Sequence, residues 1–185
     1  TSEIKKLHED RLLHYTAAAH PHGVGVKPAE VLINFIDNHD VARFLNEGTV
    51  EALNTALIYL LTTVGIPCIY YGTEQQLSGG NDPSNREPLW RGNAQRGLDP
   101  YDTANSTFKR IQQLTALRAR HPPLRRGDFE LLWTTTHVGN ETDAGIVAYE
   151  RSYNGETVLV VINTLACGTG RTHSSTRDGA TMMRS

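Results

Sequence analysis

The first half of the chain combines short apolar runs with helical periodicity. Residues 31–36 and 66–71 are short and nearly continuously apolar, which is typical of strands buried on both faces. Between them, residues 49–64 repeat apolar side chains at helical spacing, with Thr49 able to cap the first turn and Gly65 able to end the helix. This order predicts a strand, a helix and a strand, which together form the βαβ unit of a parallel sheet.

Helices are also predicted before and after this unit. Residues 2–18 space Ile, Leu and Tyr side chains toward one side, and Ser2 is a candidate N-cap. Residues 105–120 form a second amphipathic pattern, and the two prolines that follow at 122 and 123 cannot continue a helix. Residues 78–104 are rich in Gly, Asn, Asp and Pro, which predicts a loop long enough to carry function.

The last third of the chain changes to a β pattern. Three runs rich in β-branched and aromatic residues follow one another between turns, at residues 129–133, 145–149 and 157–162. Asn154 and Gly155 form the two-residue signal of a tight hairpin. We therefore predict an α/β segment at residues 1–122 and an antiparallel β module at residues 123–185.

Composition and charge exclude several classes of function. The 185 residues are 38% hydrophobic and 21% charged, with a net charge of -2, which is ordinary for a globular protein. Lys and Arg are spread along the chain, so we expect no nucleic-acid partner. The longest apolar run, residues 56–61, is far shorter than the roughly 20 residues of a membrane span, so we expect no membrane partner. Cys68 and Cys167 form no CxxC pair, and both are predicted to be free and buried.

Polar residues follow both predicted strands at the end where parallel sheets bind ligands. The sequence DNHD occupies residues 37–40, and GTE occupies residues 72–74. Because His39 and Asp40 are adjacent, the chain must leave regular strand geometry for both to face one cavity. Taken alone, DNHD is explained more simply by turn formation or helix capping than by a binding site.

Several segments together resemble one enzyme family. FIDNHD at residues 35–40 and GIPCIYYGTEQ at residues 65–75 resemble the seventh and eighth barrel strands of the alpha-amylase family, glycoside hydrolase family thirteen. GGNDPSNR at residues 79–86 resembles a loop of cyclodextrin glucanotransferases and related amylases. IVAY at residues 146–149 and VLVVIN at residues 158–163 resemble the β-sandwich that follows the barrel.

The resemblance implies a fold, an activity and a setting. It implies an α/β chain, in which residues 1–122 are the C-terminal part of a TIM (β/α)8 barrel and residues 123–185 part of a small antiparallel β-sandwich. The implied parent is a retaining hydrolase of alpha-1,4-glucans such as starch and maltodextrin, with an oligo- or polysaccharide as partner. It also implies calcium in the intact parent, with no ligands identifiable in this chain, and a secreted or periplasmic location.

The resemblance further assigns five site residues. Asp40 would be the catalytic carboxylate that stabilises the transition state, and His39, Arg43, Asp82 and Arg86 would bind substrate. Acceptors and donors on ring hydroxyls that bind more tightly as an oxocarbenium charge develops lower the barrier. For Asp82 and Arg86, an exposed ion pair in a surface turn is an open alternative. Tyr71, Glu74 and Trp90 are candidates for lining the site, but packing is the favoured role, together with loop hydrogen bonds for Tyr71 and Glu74.

The sequence lacks part of the catalytic machinery that the resemblance implies, which leaves other activities open. Neither the nucleophile motif nor the acid/base motif of the family occurs in the sequence, so both are expected upstream of Thr1, and the isolated chain is predicted to be an inactive fragment. The nearest alternatives are a cyclodextrin glucanotransferase or a maltogenic amylase, which transfer glycosyl groups. An alternative of another class is a non-catalytic amylase-like binding subunit.

Overall fold

A computed structural model describes residues 1–15, 22–23, 25–89, 101–139, 141, 144–165 and 180–184. The chain divides into two compact units. Unit 1 comprises Thr1–Ile33, Thr62–Ile66 and Arg118–Ser185, and unit 2 comprises Asn34–Leu61 and Pro67–Leu117. The predicted division into domains at residue 122 stays a prediction.

Five α-helices and two short 3-10 turns lie in the described residues. The helices are α1 Ser2–His14, α2 Pro28–Val31, α3 Val50–Thr62, α4 Ser106–Arg120 and α5 Pro123–Arg126, and the 3-10 turns are Phe44–Asn46 and Thr73–Gln75. Thr49 caps α3 as predicted, because its Oγ1 accepts the Ala52 amide at 3.2 Å. The predicted N-cap of the first helix is wrong: Thr1 occupies that position, without a side-chain capping bond. Within the described residues, no helix has the length and apolarity needed to cross a bilayer.

The predicted strand, helix and strand are present, but both strands are short, and the prediction that they are buried on both faces is wrong, since Ile33 is 63% and Ile66 47% exposed. Strand β1 is Ile33–Asn34 and β2 is Ile66–Pro67. The Ile66 amide donates to Leu32 O at 2.8 Å and the Cys68 amide to Asn34 O at 2.7 Å, so the pairing advances in parallel along both segments. The prediction of a strand from residue 31 is wrong, because Pro28 opens the helical turn α2. Cys68 is a free thiol, as predicted, but it is exposed rather than buried, and Cys167 lies outside the described residues.

A four-stranded antiparallel sheet in the order β3-β4-β5-β6 matches the predicted β module. Its strands are β3 Asp128–Thr134, β4 Ile146–Tyr153, β5 Glu156–Asn163 and β6 Ala180–Arg184. The predicted hairpin joins β4 and β5, where Asn154 has φ 51° and Gly155 has φ 82°. Positive φ at both central residues is what a tight hairpin turn requires, and Asn-Gly is the pair that adopts it most readily.

One face of the β4–β5 pair forms the core of unit 1. The buried residues of the two strands lie opposite one another across the ladder, in the pairs Val147 and Ile162, Tyr149 and Val160, and Arg151 and Val158. His8 of α1 stacks on Phe129 of β3 with ring centroids 4.0 Å apart. Burial and then the charges of Arg11 and Arg151 lower the pKa of His8 from 6.5 to about 4, so it is neutral at pH 7.

A helix-rich core holds unit 2 together. Four leucines of α3 are buried at helical spacing, at positions 53, 57, 60 and 61. Thr107, near the start of α4, is fully buried; its Oγ1 donates to Asn54 Oδ1 at 3.2 Å and accepts from Gln76 Nε2 at 3.0 Å. The side chains of α3 and α4 therefore give the loops of unit 2 a fixed base.

Candidate functional site

The segment after β1 leaves strand geometry, as the adjacency of His39 and Asp40 requires. Residues 35–43 lie in neither helix nor strand. The Nε2 atom of His39 is 3.3 Å from Asp40 Oδ1, and the two side chains are 61% and 69% exposed. An imidazole and a carboxylate thus lie side by side, and both are accessible to a ligand.

Side chains on either side of this pair hold the segment in a turn. The amide of Asp40 donates to Asn38 Oδ1 at 2.8 Å. Asp37 is buried, and its carboxylate accepts the Phe44 amide at 2.9 Å and the Thr73 hydroxyl at 3.2 Å. The turn-forming and capping roles left open for DNHD are therefore real, but Asn38 and Asp37 fill them, and the side chains of His39 and Asp40 stay exposed.

Arg43 is buried against two tyrosines. Its guanidinium carbon lies 4.0 Å from the ring centroid of Tyr70 and 4.9 Å from that of Tyr71. Nη1 donates to Tyr71 O at 2.7 Å and Nε to Asn85 O at 2.9 Å, while Nη2 is buried without a hydrogen-bond partner among the described residues. Since the side chain is wholly inaccessible, this geometry gives no support to the predicted contact between Arg43 and a sugar. Arg43 instead ties two loops together.

Residues 79–87 form a closed loop. The amide of Gly79 donates to Glu87 Oε2 at 2.9 Å, which joins the two ends of the loop. A Cβ atom at Gly79 would lie 1.8 Å from the carbonyl oxygen of Ser84, so only glycine allows this approach. On the loop surface, Asp82 Oδ1 is 3.0 Å from Arg86 Nε, with both side chains about half exposed. The exposed ion pair considered for Asp82 and Arg86 is therefore present, and it leaves both side chains accessible.

Residues 37–44 are called the His39 turn, and the 79–87 loop is joined to it mainly through Asn85. The Asn85 side chain is fully buried, and its Nδ2 donates to His39 O and Val41 O at 2.8 Å each. Arg86 adds longer contacts of 3.4 and 3.5 Å to the same His39 oxygen. The structure thus brings the five predicted site residues into one unit, with four of their side chains exposed and Arg43 buried.

Three residues of this site did not follow from the sequence. Asp37 and Asn85 bind the backbone of the site, and the Tyr70 ring packs against the buried guanidinium of Arg43. Partial burial, and then a hydrogen bond with Tyr71, raise the pKa of Tyr70, so its hydroxyl is protonated at neutral pH. Of the other candidates, Tyr71 is exposed, Glu74 is half-buried, and Trp90 lies outside the described residues. The sequence offered one signal for Asn85: it is an asparagine two residues after Pro83, in a segment whose composition predicts a turn, and asparagine side chains in turns often bind backbone groups.

The calcium expected in the intact parent stays a prediction. No group of three or more His, Cys, Asp or Glu side chains lies close enough to hold a metal ion in the described ranges. Calcium prefers six to eight oxygen ligands.

Comparison with known proteins identifies relatives, although no protein-family model matches the chain. The cyclomaltodextrin glucanotransferase of Thermoanaerobacterium thermosulfurigenes is 33% identical over 132 residues, and the beta/alpha-amylase of Paenibacillus polymyxa is 38% identical over 138 residues. These matches cover 71% and 70% of this chain but 16% and 10% of those proteins. The chain therefore spans a small part of the length of these curated relatives.

A solved structure agrees with the sequence matches. The alpha-amylase of Geobacillus thermoleovorans, complexed with acarbose, has a TM-score of 0.58 and 34% sequence identity, over 73% of this chain and 28% of that one. Sequence and fold thus point to the same group of enzymes over most of the chain. The chain belongs to the alpha-amylase family of glycoside hydrolases.

Proposed function

We propose that this chain is part of an enzyme that acts on alpha-1,4-glucans by a retaining mechanism. The observation that carries the proposal is the exposed pair of His39 and Asp40 after β1, joined through backbone contacts to the exposed pair of Asp82 and Arg86. Its relatives bear the names of amylases and glucanotransferases, and one of them is complexed with acarbose, which supports an oligosaccharide ligand.

In this proposal Asp40 stabilises the transition state rather than forming a bond to the sugar. Cleavage develops positive charge on the sugar ring, and a carboxylate hydrogen-bonded to ring hydroxyls binds that state more tightly than the ground state. His39 beside it donates to a neighbouring hydroxyl oxygen. Asp82 and Arg86, an acceptor and a planar set of donors, hold a further sugar unit. The nucleophile and the acid/base group are assigned to no residue of this chain.

The finer assignments belong to the same proposal. Residues 1–122 are the end of a (β/α)8 barrel and residues 123–185 part of the following β-sandwich; the short parallel pair β1–β2 and the antiparallel sheet β3–β6 support this division. A secreted or periplasmic location is also proposed. The 185-residue chain alone is expected to show no amylolysis.

Glycosyl transfer is the second candidate, and the glucanotransferase names among the relatives favour it. Hydrolysis and transfer share a glycosyl-enzyme intermediate and differ in whether water or a sugar hydroxyl attacks it. Product analysis by chromatography separates them, because transfer gives cyclic or elongated glucans and hydrolysis gives linear maltodextrins.

The test compares Asp40→Asn with wild type in the full-length protein, by release of reducing ends from soluble starch. Losing the carboxylate charge at the ring is expected to lower kcat/KM about 10³-fold, which corresponds to about 4 kcal/mol. Asp128→Asn is the matched control, since Asp128 of β3 is also an exposed carboxylate and pairs with Lys27, and the activity of this variant should stay within about twofold.

Three results would change the proposal. Equal activity of Asp40→Asn and wild type would remove Asp40 from the reaction. A wild-type protein that binds acarbose but turns over no glucan would replace the enzyme with the non-catalytic binding subunit. A protein with neither property would overturn the proposal altogether.

A further inference from the structure

The Asn85 side chain is placed as a bridge between two loops. It is fully buried, and its single NH2 group faces three backbone carbonyls, those of Asn38 at 3.4 Å and of His39 and Val41 at 2.8 Å each. An amide NH2 has two hydrogens, so the two short contacts are its hydrogen bonds. The two carbonyls bound in this way belong to His39 and Val41, the residues directly before and after Asp40.

The position of the Asp40 carboxylate depends on its backbone. The side chain is 69% exposed, and the His39 imidazole 3.3 Å from its Oδ1 is itself 61% exposed. Packing therefore does not fix its direction. The Asp40 amide is held by Asn38 Oδ1, and the carbonyl groups of the residues before and after it, His39 and Val41, are held by Asn85. Without Asn85, two carbonyls that converge on one point would lose their common donor.

Asn85 is itself held firmly. Its main-chain carbonyl accepts from Nε of the buried Arg43 at 2.9 Å, and the Arg43 amide donates to Gly79 O at 3.0 Å. The Glu87 carboxylate closes the loop onto the Gly79 amide. By contrast, the contacts of Arg86 with His39 O are longer and exposed, so they add little rigidity.

We propose that Asn85 is a positioning residue that sets the place of the Asp40 carboxylate by binding the backbone on both sides of it. This rests on the proposed function, in which Asp40 acts on the transition state. A displacement of about 1 Å in a reacting or stabilising group lowers a rate by on the order of 10²-fold. Loss of Asn85 therefore acts mainly on kcat, and it acts through Asp40.

A double-mutant cycle in the full-length enzyme tests this, with p-nitrophenyl maltoheptaoside as substrate. Asn85→Ala is expected to lower kcat about 30-fold in the wild-type background, with KM changed less than about threefold. In the Asp40→Asn background the same change should lower kcat less than about threefold, because the group it positions is already lost. Asn85→Ser, which keeps one donor, should give an intermediate kcat and serves if Asn85→Ala does not fold.

Thr107→Val is the matched control. Thr107 is as buried as Asn85 and lies in the same unit, but among the described residues its hydroxyl bonds the side chains of Asn54 and Gln76 rather than the His39 turn. Its loss should lower Tm as much as Asn85→Ala does and leave kcat within about twofold. Hydrogen exchange in a peptide covering residues 37–44 should speed up in Asn85→Ala and not in Thr107→Val, which reports on the turn independently of activity.

The outcomes are distinguishable. An active wild type in which Asn85→Ala leaves kcat unchanged, or lowers it equally in both backgrounds, overturns the positioning role and leaves the proposed function standing. Unchanged hydrogen exchange in residues 37–44 of Asn85→Ala also overturns it. A wild type without glucan turnover overturns the proposed function and the positioning role with it.

Discussion

The His39 turn and the β4–β5 hairpin fix their backbones in different ways. In the hairpin, eight consecutive residue pairs are joined in register by the main chain, from Ile146 and Asn163 to Tyr153 and Glu156. In the turn, the amides of Asp40 and Phe44 and the carbonyls of His39 and Val41 are held by side chains. In a strand ladder, many equivalent main-chain hydrogen bonds fix the backbone together, so no single side chain is essential. A turn held by side chains depends on a few residues, and it leaves neighbouring side chains free for a ligand.

The largest effect is expected where one side chain holds the turn. Asp37→Ala removes a buried carboxylate that accepts hydrogen bonds from the Phe44 amide and the Thr73 hydroxyl. Two unsatisfied donors at about 2 kcal/mol each should lower the free energy of unfolding by about 4 kcal/mol in urea titrations. The exposed carboxylate change Asp128→Ala is the control, expected within about 0.5 kcal/mol. If Asp37→Ala lowers the free energy of unfolding as little as Asp128→Ala does, the turn does not depend on the Asp37 side chain.

The second prediction concerns pH and the region around the sheet. His8 has a pKa of about 4 when folded and 6.5 when unfolded, so the unfolded chain binds more protons between these values. Stability is therefore expected to be full above pH 6.5 and to fall by about 3 kcal/mol as the pH is lowered to 4. His8→Gln, which does not titrate, should flatten this part of the curve in urea titrations at several pH values. Parallel curves for the two proteins would contradict the assignment.

The smallest effect is expected in the hairpin. Ser152 Oγ and Thr157 Oγ1 are 2.9 Å apart on directly opposite residues of β4 and β5. Thr157→Val removes this bond, but the main-chain ladder on either side remains and valine favours strands, so the free energy of unfolding should change by less than about 0.5 kcal/mol. Ser152→Ala should behave alike. A loss as large as that of Asp37→Ala would end the distinction between the two regions.

The same difference explains what could be predicted from the sequence. The strands of the hairpin and its Asn154-Gly155 turn followed from alternation and turn chemistry, which are local properties of the chain. The exposed His39 and Asp40 were found because they follow an apolar run, although that run is not buried as predicted: Ile33 and Phe35 are 63% and 51% exposed. The role of Asn85 was missed because its partners lie 44 and 46 residues away, and no local pattern reports such a pairing. The strand predicted from residue 31 failed where Pro28 favours a first helical turn.

The left-handed pair Asn154 and Gly155 also restricts how this part of the protein can vary. Because side chains alternate along a strand, adding or removing one residue at the turn would send Val158, Val160 and Ile162 to the solvent side of β5. Evolution can therefore exchange residues at these two positions only for others that tolerate positive φ, and it cannot alter the length of the turn. Insertions among homologues are expected to accumulate in other surface segments, where no strand alignment depends on them.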